Sequence, residues 1–207
     1  MKRILLATAI MAAALGFTVH AETRWGVVAG ANYNELHFKQ HDIFAVDQQF
    51  GPNAGITGEI ISPGIGFGID GSVIYSMRSG KLHMGDKKAW ASQGVGEERC
   101  VMHYIDVPVN LKIKWQKLNG FENTLMPMFF VGPTISFLPA HSKCDDALQF
   151  KKVSASLQLG IGFELYRKVQ VKAGYQFGFG ESVRTRLLEE NVAKNRTYFL
   201  NCTYFFQ

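Results

Sequence analysis

The sequence predicts an all-β fold: an eight-stranded antiparallel up-and-down transmembrane β-barrel with short periplasmic turns and long outer loops. Eight stretches alternate apolar and polar residues, which is the period of a β-strand. The connections between them are alternately long and short, as in a meandering membrane barrel. After residue 21 no apolar run approaches the 18 or so residues of a spanning helix, whereas a spanning strand needs only about 9–11.

The first 21 residues have the pattern of a secretory signal peptide. Lys2 and Arg3 precede an apolar run that extends to Phe17, and the small residue Ala21 offers a cleavage site. This run is shorter than the roughly 20 residues of a spanning helix, which argues against an N-terminal membrane anchor. The predicted domains are a signal peptide, 1–21, and an outer-membrane β-barrel domain, 22–207.

The predicted strands follow one another with a two-residue period. The fourth alternates most cleanly, with Ile105 and Val107 on one face and Asp106 on the other. The fifth is apolar on both faces, and we assign its outward set as Phe129, Val131, Ile135 and Phe137. The predicted ranges are 25–37, 50–61, 65–77, 103–115, 125–138, 153–165, 169–179 and 196–207.

The connections determine which end of the barrel faces outward. An outer-membrane barrel has short periplasmic turns and longer outer loops, and an even strand number places both termini on the periplasmic side. The long connections are 38–49, 78–102, 139–152 and 180–195, and the short ones are 62–64, 116–124 and 166–168.

One face of the strands is almost entirely apolar, and the other is rich in Gly, Ser, Asn, Gln and charged residues. We place the polar face inside, because glycine fills a narrow lumen better than it covers a soluble surface. The alternative is a soluble lipocalin-like ligand carrier, whose apolar face would point inward. The predicted lumen charge network consists of Asp70, Asp106, Lys112, Lys114, Glu164 and Lys172.

Aromatic residues collect near both ends of the predicted strands, as in the girdles at the two interfaces of a membrane barrel. The chain also closes on Tyr204 and Phe206 in strand phase, which resembles the C-terminal signal read by the barrel-assembly machinery. We therefore expect that machinery and outer-membrane lipid as partners. The predicted girdle consists of Trp25, Tyr75, Trp115, Phe137, Tyr166, Phe179, Tyr198 and Phe206.

Two stretches within this pattern resemble a known family: YIDVPVNLK at 104–112 and FVGP at 130–133, with glycine-alternating strands around them. They look like the outer-membrane β-barrel domain family of Bacteroidota, which includes small porin-family and PorT-like barrels. The resemblance covers essentially the whole mature chain. It implies an outer-membrane location and, through the PorT-like proteins, a role in assisting secretion or assembly.

The small strand number limits what the barrel can do. An eight-stranded barrel is just wide enough for side chains to fill, so a general diffusion channel is not expected. We predict a non-enzymatic protein without cofactor or metal, acting in envelope structure or in loop-mediated binding of an extracellular or periplasmic protein. A narrow ion path along the lumen charges is the alternative. The sequence has no basic stripe with interleaved aromatic residues, so nucleic acid is not expected as a partner.

Histidine and aspartate residues at the predicted outer rim raise an enzymatic alternative. Omptin-like surface hydrolases use such residues at the mouth of a barrel. We favour the interpretation that these are polar residues of solvent-exposed loops. Apart from His37 and His41, no pair has the spacing of metal ligands on a regular element. The residues concerned are His37, His41, His83, His103, His141, Asp42, Asp47, Asp86, Asp145 and Asp146.

Two of the three cysteines fall in neighbouring outer loops of the predicted barrel. Cys100 ends the second long connection and Cys144 lies in the third, so they are a disulfide candidate in an oxidising envelope. Two free thiols remain the alternative, because sequence does not give the Cα separation. Cys202 falls on the apolar face of the last strand and is expected to face lipid.

Overall fold

The computed structural model describes residues 22–38, 44–62, 66–84, 98–115, 124–141, 148–150, 152–179, 183–185 and 192–206. The described part of the chain contains β-strands and no helix that could cross a membrane. The strands are β1 Glu22–Phe38, β2 Phe44–Ile61, β3 Phe67–Met84, β4 Glu98–Lys114, β5 Leu125–His141, β6 Leu148–Phe150, β7 Val153–Leu165, β8 Val169–Gly178, β9 Val183–Thr185 and β10 Val192–Phe206.

Eight long strands form a closed antiparallel barrel. They follow in the order β1-β2-β3-β4-β5-β7-β8-β10, and β1 pairs with β10 from Trp25↔Phe206 to Phe38↔Ala193 to close the sheet. The three-residue strands β6 and β9 pair with each other, and β9 also pairs with β10. The predicted eight-stranded up-and-down barrel is thus confirmed.

The register of the strands fixes their tilt. A line of paired residues that starts at Thr23 passes once around the barrel and returns to β1 at Tyr33, ten residues further along. A sheet can close with such an offset only if its strands are inclined to the barrel axis, by about 35–45° in membrane barrels. The intermediate partners are Ile60, Ile69, Leu111, Val131, Leu159, Tyr175 and Tyr198.

Several strands extend further toward the outer end than predicted. β3 continues to Met84 and β4 begins at Glu98, and their pairing reaches Leu82↔Glu98. The predicted outer connections were therefore too long, and 139–152 and 180–195 contain the short strands β6 and β9. Alternating hydrophobicity shows which residues face lipid, whereas hydrogen-bonded pairing continues beyond the lipid without that pattern.

The apolar face of the sheet points outward and the polar face inward. The phase predicted for the fifth strand is correct, since Phe129, Ile135 and Phe137 are exposed and Phe130 is completely buried. This is the reverse of the lipocalin-like arrangement, in which the apolar face surrounds a ligand. Among the other exposed apolar residues are Val27, Ile56, Val73, Val109, Leu111, Ile113, Leu159, Ile161 and Leu200.

A charge placed on the outward face should therefore destabilise the barrel. Ile161, in the middle of β7, is 67% exposed. We expect Ile161→Arg to lower the free energy of unfolding by about 2–4 kcal/mol, because an arginine at the bilayer midplane is transferred from water into hydrocarbon. Urea titration of the protein in lipid vesicles measures the change.

The matched control is Thr23→Arg, at the exposed periplasmic end of β1. Near the interface an arginine costs no more than about 1 kcal/mol, because its head reaches the headgroups. Equal effects of the two substitutions would contradict a lipid-facing position for Ile161.

Candidate functional site: the charged lumen

Charged side chains from β1, β2, β3, β4, β7 and β8 are buried on the inward face of the barrel. They point inward because successive residues of a strand face opposite sides and the other side here is the apolar one. Five are basic and four are acidic, so the described lumen carries one excess positive charge. They are Arg24, Glu59, Asp70, Arg78, Asp106, Lys112, Lys114, Glu164 and Lys172.

All six residues of the predicted charge network are among these buried groups. Five of them lie in one continuous set of ion pairs with Arg24 and Glu59, and Asp106 instead pairs with Arg78. We use the name "lumen cluster" for the larger set together with its bridging amide: Arg24, Glu59, Asp70, Lys112, Lys114, Glu164, Gln170 and Lys172.

Glu59 is the centre of the lumen cluster. Its side chain on β2 is completely buried and forms ion pairs with Arg24 Nη2 at 3.0 Å, with Lys112 Nζ at 2.9 Å, and with Lys114. Gln170 of β8 donates a further hydrogen bond to Glu59 Oε2 at 2.9 Å. One carboxylate thereby joins β1, β2, β4 and β8 across the interior.

Glu164 of β7 forms the periplasmic end of the lumen cluster. Arg24 binds it through two hydrogen bonds, of 3.2 Å to Oε1 and 2.8 Å to Oε2, and Lys114 Nζ lies 2.5 Å from Oε2. Arg24 also donates to the backbone carbonyl of Arg167 at 2.7 Å. The guanidinium therefore joins β1 to the turn between β7 and β8.

That turn has an uncommon backbone conformation. Tyr166 and Arg167 have φ values of 50° and 57°, and Lys168 donates a backbone hydrogen bond to Leu165 at 3.0 Å. Two positive φ values in a two-residue hairpin loop are typical of a type I′ turn, which normally prefers Asn or Gly. The hydrogen bond from Arg24 to the Arg167 carbonyl helps to hold this conformation.

Asp70 of β3 extends the lumen cluster toward the outer end. Lys112 Nζ lies 2.5 Å and Lys172 Nζ 2.9 Å from its Oδ2. Asn110 donates to Asp70 Oδ1 at 2.6 Å, and Gln158 donates to Asn110 at 2.6 Å. The network therefore crosses the barrel from β3 and β4 to β7 and β8.

Nearer the outer end, Arg78 and Asp106 form a separate buried pair. Arg78 Nη2 lies 2.6 Å from Asp106 Oδ2, and its guanidinium lies over the Tyr104 ring, 4.5 Å from the centroid. Gln176 Oε1 is a weaker acceptor at 3.5 Å. This pair neutralises itself.

Aromatic rings fill part of the lumen beside the charges. Phe130 is completely buried and its ring centroid lies 6.1 Å from that of Phe199. A Cβ atom at Gly160 would lie 2.5 Å from Phe130 Cζ, and one at Gly174 would lie 2.5 Å from Phe199 Cζ. The two glycines thus provide the space that the two rings occupy.

Ion pairs and hydrogen-bonded side chains cross the described part of the lumen. Two cavities among them have volumes of about 10 and 20 Å³, which is the space of single water molecules. Buried ion pairs lose hydration on folding, and only a complete set of partners offsets that cost. The geometry is that of a packed interior whose buried charges are paired, with one positive charge in excess.

The girdle residues lie on the outside of the barrel. Trp25 packs against Gly58 of β2, where an added Cβ would lie 3.1 Å from the indole ring. Tyr75 donates to or accepts from His103 Nδ1 at 2.6 Å on the same outer surface. All eight are exposed: Trp25, Tyr75, Trp115, Phe137, Tyr166, Phe179, Tyr198 and Phe206.

The proposed disulfide lies outside the described residues, because Cys144 is not among them. The backbone of Cys100 belongs to β4, paired with Gly80, and not to a loop as predicted. The bridge stays a prediction. Cys202 is exposed on the outward face with a free thiol.

Most of the rim histidines and aspartates have side chains outside the described part of the structure. His41, Asp42, Asp86, Asp145 and Asp146 lie outside the described residues. His37, Asp47, His83 and His141 lie in parts of strands where only the backbone is described. Within the described residues no group of three His, Cys, Asp or Glu side chains is placed to hold a metal ion.

Sequence reasoning missed three of the buried charges. Arg24 is the third residue after the predicted signal peptide, and Arg78 fell in a predicted loop that is in fact β3. Glu59 shares the inward phase of Asn53 and Thr57. Continuing the two-residue alternation through β2 would have found Glu59, but its central position depends on contacts between distant strands.

A comparison with protein families agrees with this architecture. The family model described as "Outer membrane protein beta-barrel domain" matches residues 16–184, which is most of the chain. The chain belongs to this outer-membrane β-barrel family. A Bacteroidota origin and a PorT-like relationship remain predictions from the resemblance. No curated protein matches the chain significantly.

The fold of this chain is similar to solved structures of other small outer-membrane barrels. OprG of Pseudomonas aeruginosa is 11% identical with a TM-score of 0.48, and the similarity covers 90% of this chain and 95% of OprG. Neisserial surface protein A is 10% identical with a TM-score of 0.47, and the similarity covers 88% of this chain and 97% of that protein. Ail, the attachment invasion locus protein of Yersinia pestis, is 12% identical with a TM-score of 0.45, and the similarity covers 89% of this chain and 99% of Ail. Likeness at this level carries no argument about function.

Proposed function

We propose that this outer-membrane barrel is a non-enzymatic protein that conducts neither ions nor solutes. It contributes to envelope structure or presents its outer end to a protein partner. The observation that supports this proposal is the lumen, where Glu59, Lys114 and Glu164 join different walls of the barrel by ion pairs. The resemblance to PorT-like barrels favours a partner in secretion or assembly.

A conductance measurement tests the closed lumen. We expect the purified protein in planar lipid bilayers to give no discrete conductance steps. An ion would have to separate the buried ion pairs that Lys112 forms with Glu59 and Asp70. A wide diffusion porin inserted in the same bilayers is the positive control. Regular steps of a fixed size from protein with a heat-modifiable gel mobility would contradict the proposal.

A genetic experiment separates the two roles. A strain lacking the protein is complemented with the intact chain or with a variant in which residues 85–97, between β3 and β4, are replaced by a Gly-Ser linker. If the body of the barrel suffices for envelope structure, both proteins restore resistance to detergent and bile salts. If the protein acts through a partner at its outer end, only the intact chain restores function.

The same variant needs a folding control. No member of the lumen cluster lies within 85–97, so the heat-dependent shift in gel mobility should persist. A linker variant that loses this shift reports misfolding, and shorter replacements within 85–97 then repeat the test.

A further inference from the structure

A small polar cavity lies in the lumen between the lumen cluster and the outer end. Its volume is about 20 Å³. Its wall includes Asn53 of β2, Asp106 of β4 and Thr134 of β5, with Phe199 of β10 on another side. The space is enough for one water molecule, which needs at least about 10–15 Å³.

Three residues that line the cavity each have a side-chain oxygen without a hydrogen-bond partner among the described protein groups. These oxygens are Asn53 Oδ1, Asp106 Oδ1 and Thr134 Oγ1. The three side chains are deeply buried, with exposures of 4%, 6% and 1%. Buried polar atoms in proteins nearly always have a partner, so three such atoms around one cavity indicate a bound species.

The identity of the atoms specifies what this species must offer. Asn53 Oδ1 can only accept, because its amide nitrogen already donates to Asn32 at 2.6 Å and to Asn201 at 2.9 Å. Asp106 Oδ1 also accepts, while Oδ2 binds Arg78. The Thr134 hydroxyl is free to donate. A ligand with two donors and one acceptor matches this set.

We propose that the cavity is a binding site for a single ordered water molecule. The water donates to Asn53 Oδ1 and Asp106 Oδ1 and accepts from the Thr134 hydroxyl, so that it joins β2, β4 and β5. Three hydrogen bonds are the usual number for a buried water. The water is part of the packed interior and opens no route across the barrel.

A monovalent cation is the competing ligand, because all three atoms are oxygens. The charge around the cavity disfavours it. The single carboxylate of the wall, Asp106, is already neutralised by Arg78 at 2.6 Å, so a cation would add an uncompensated charge to a buried site.

A matched pair of substitutions tests the proposal. Thr134→Val removes a hydroxyl that the water would bond, whereas Thr203→Val removes another buried hydroxyl that lines neither cavity. If the water is bound, Thr134→Val lowers the urea midpoint of unfolding. If Thr134 is unsatisfied, its replacement by an apolar group leaves the midpoint unchanged or raises it, as expected for Thr203→Val. An unchanged or raised midpoint for Thr134→Val would overturn the proposal.

Crystallography identifies the ligand directly. We expect one density peak about 2.7–3.2 Å from the three oxygens, which is hydrogen-bond distance. Absence of a peak in well-ordered density would refute the water site. Crystals soaked in a rubidium salt give the second result: an anomalous peak in the cavity would overturn water in favour of a cation site.

Discussion

Replacing Glu59 by glutamine is expected to lower the free energy of unfolding by about 3–5 kcal/mol. The side chain keeps its shape but loses its charge, so Arg24, Lys112 and Lys114 keep their positive charges without their shared partner. Removal of one member of a buried ion pair is costly because the other charge stays desolvated. Urea unfolding in lipid vesicles, followed by the heat-dependent gel shift, measures the loss.

A second substitution separates charge imbalance from other effects. In Glu59→Gln combined with Lys114→Gln, the lumen cluster again has one excess positive charge, as in the natural protein. We expect the double variant to lose less stability than the two single variants added together, by about 0.5–3 kcal/mol. Additive losses, or a Glu59→Gln variant as stable as one with the exposed Glu22 replaced by glutamine, would show that the cluster does not act as a unit.

Replacing Phe130 by alanine is expected to lower the free energy of unfolding by about 3–5 kcal/mol. The ring is completely buried in the lumen against Gly160 and Gly174, which have no side chains to fill the space left by its removal. The resulting cavity would lie beside Lys172, whose ammonium is 5.8 Å from the ring centroid. Chemical denaturation in lipid vesicles again gives the change.

The neighbouring Phe129 supplies the control. Phe129 is also a phenylalanine of β5, but its ring is exposed on the lipid face. Lipid chains can occupy the space left by Phe129→Ala, so we expect a clearly smaller loss of stability. A Phe129→Ala variant that is destabilised as strongly as Phe130→Ala would contradict the assigned faces of β5.

The faces of the strands were predictable because lipid imposes a two-residue period. In β4 the outward Ile105, Leu111 and Ile113 and the inward Asp106 and Lys112 follow it without interruption. β5 lacked that contrast, because Met128 and Phe130 are apolar residues inside the lumen. The sequence therefore supported its phase less strongly than that of β4.

The outer ends of the strands were not predictable in the same way. Beyond the lipid both faces of a strand meet water, so the alternation ceases although β2 and β3 remain paired as far as Phe44↔Met84. Arg78 was assigned to a loop because it follows Met77, the last residue of the alternating pattern, and its buried pairing with Asp106 was missed.

The sequence alone determined the eight barrel strands, their order and which of their faces enters the lumen, because the period and the connection lengths are local properties of the chain. Only the tertiary structure decided which lumen charges meet. The ten-residue offset of the closed sheet brings Glu59 of β2 to Arg24, Lys112 and Lys114 and places Phe130 over Gly160. That offset is the sum of the registers of all eight strand pairs, and no single segment of the chain contains it.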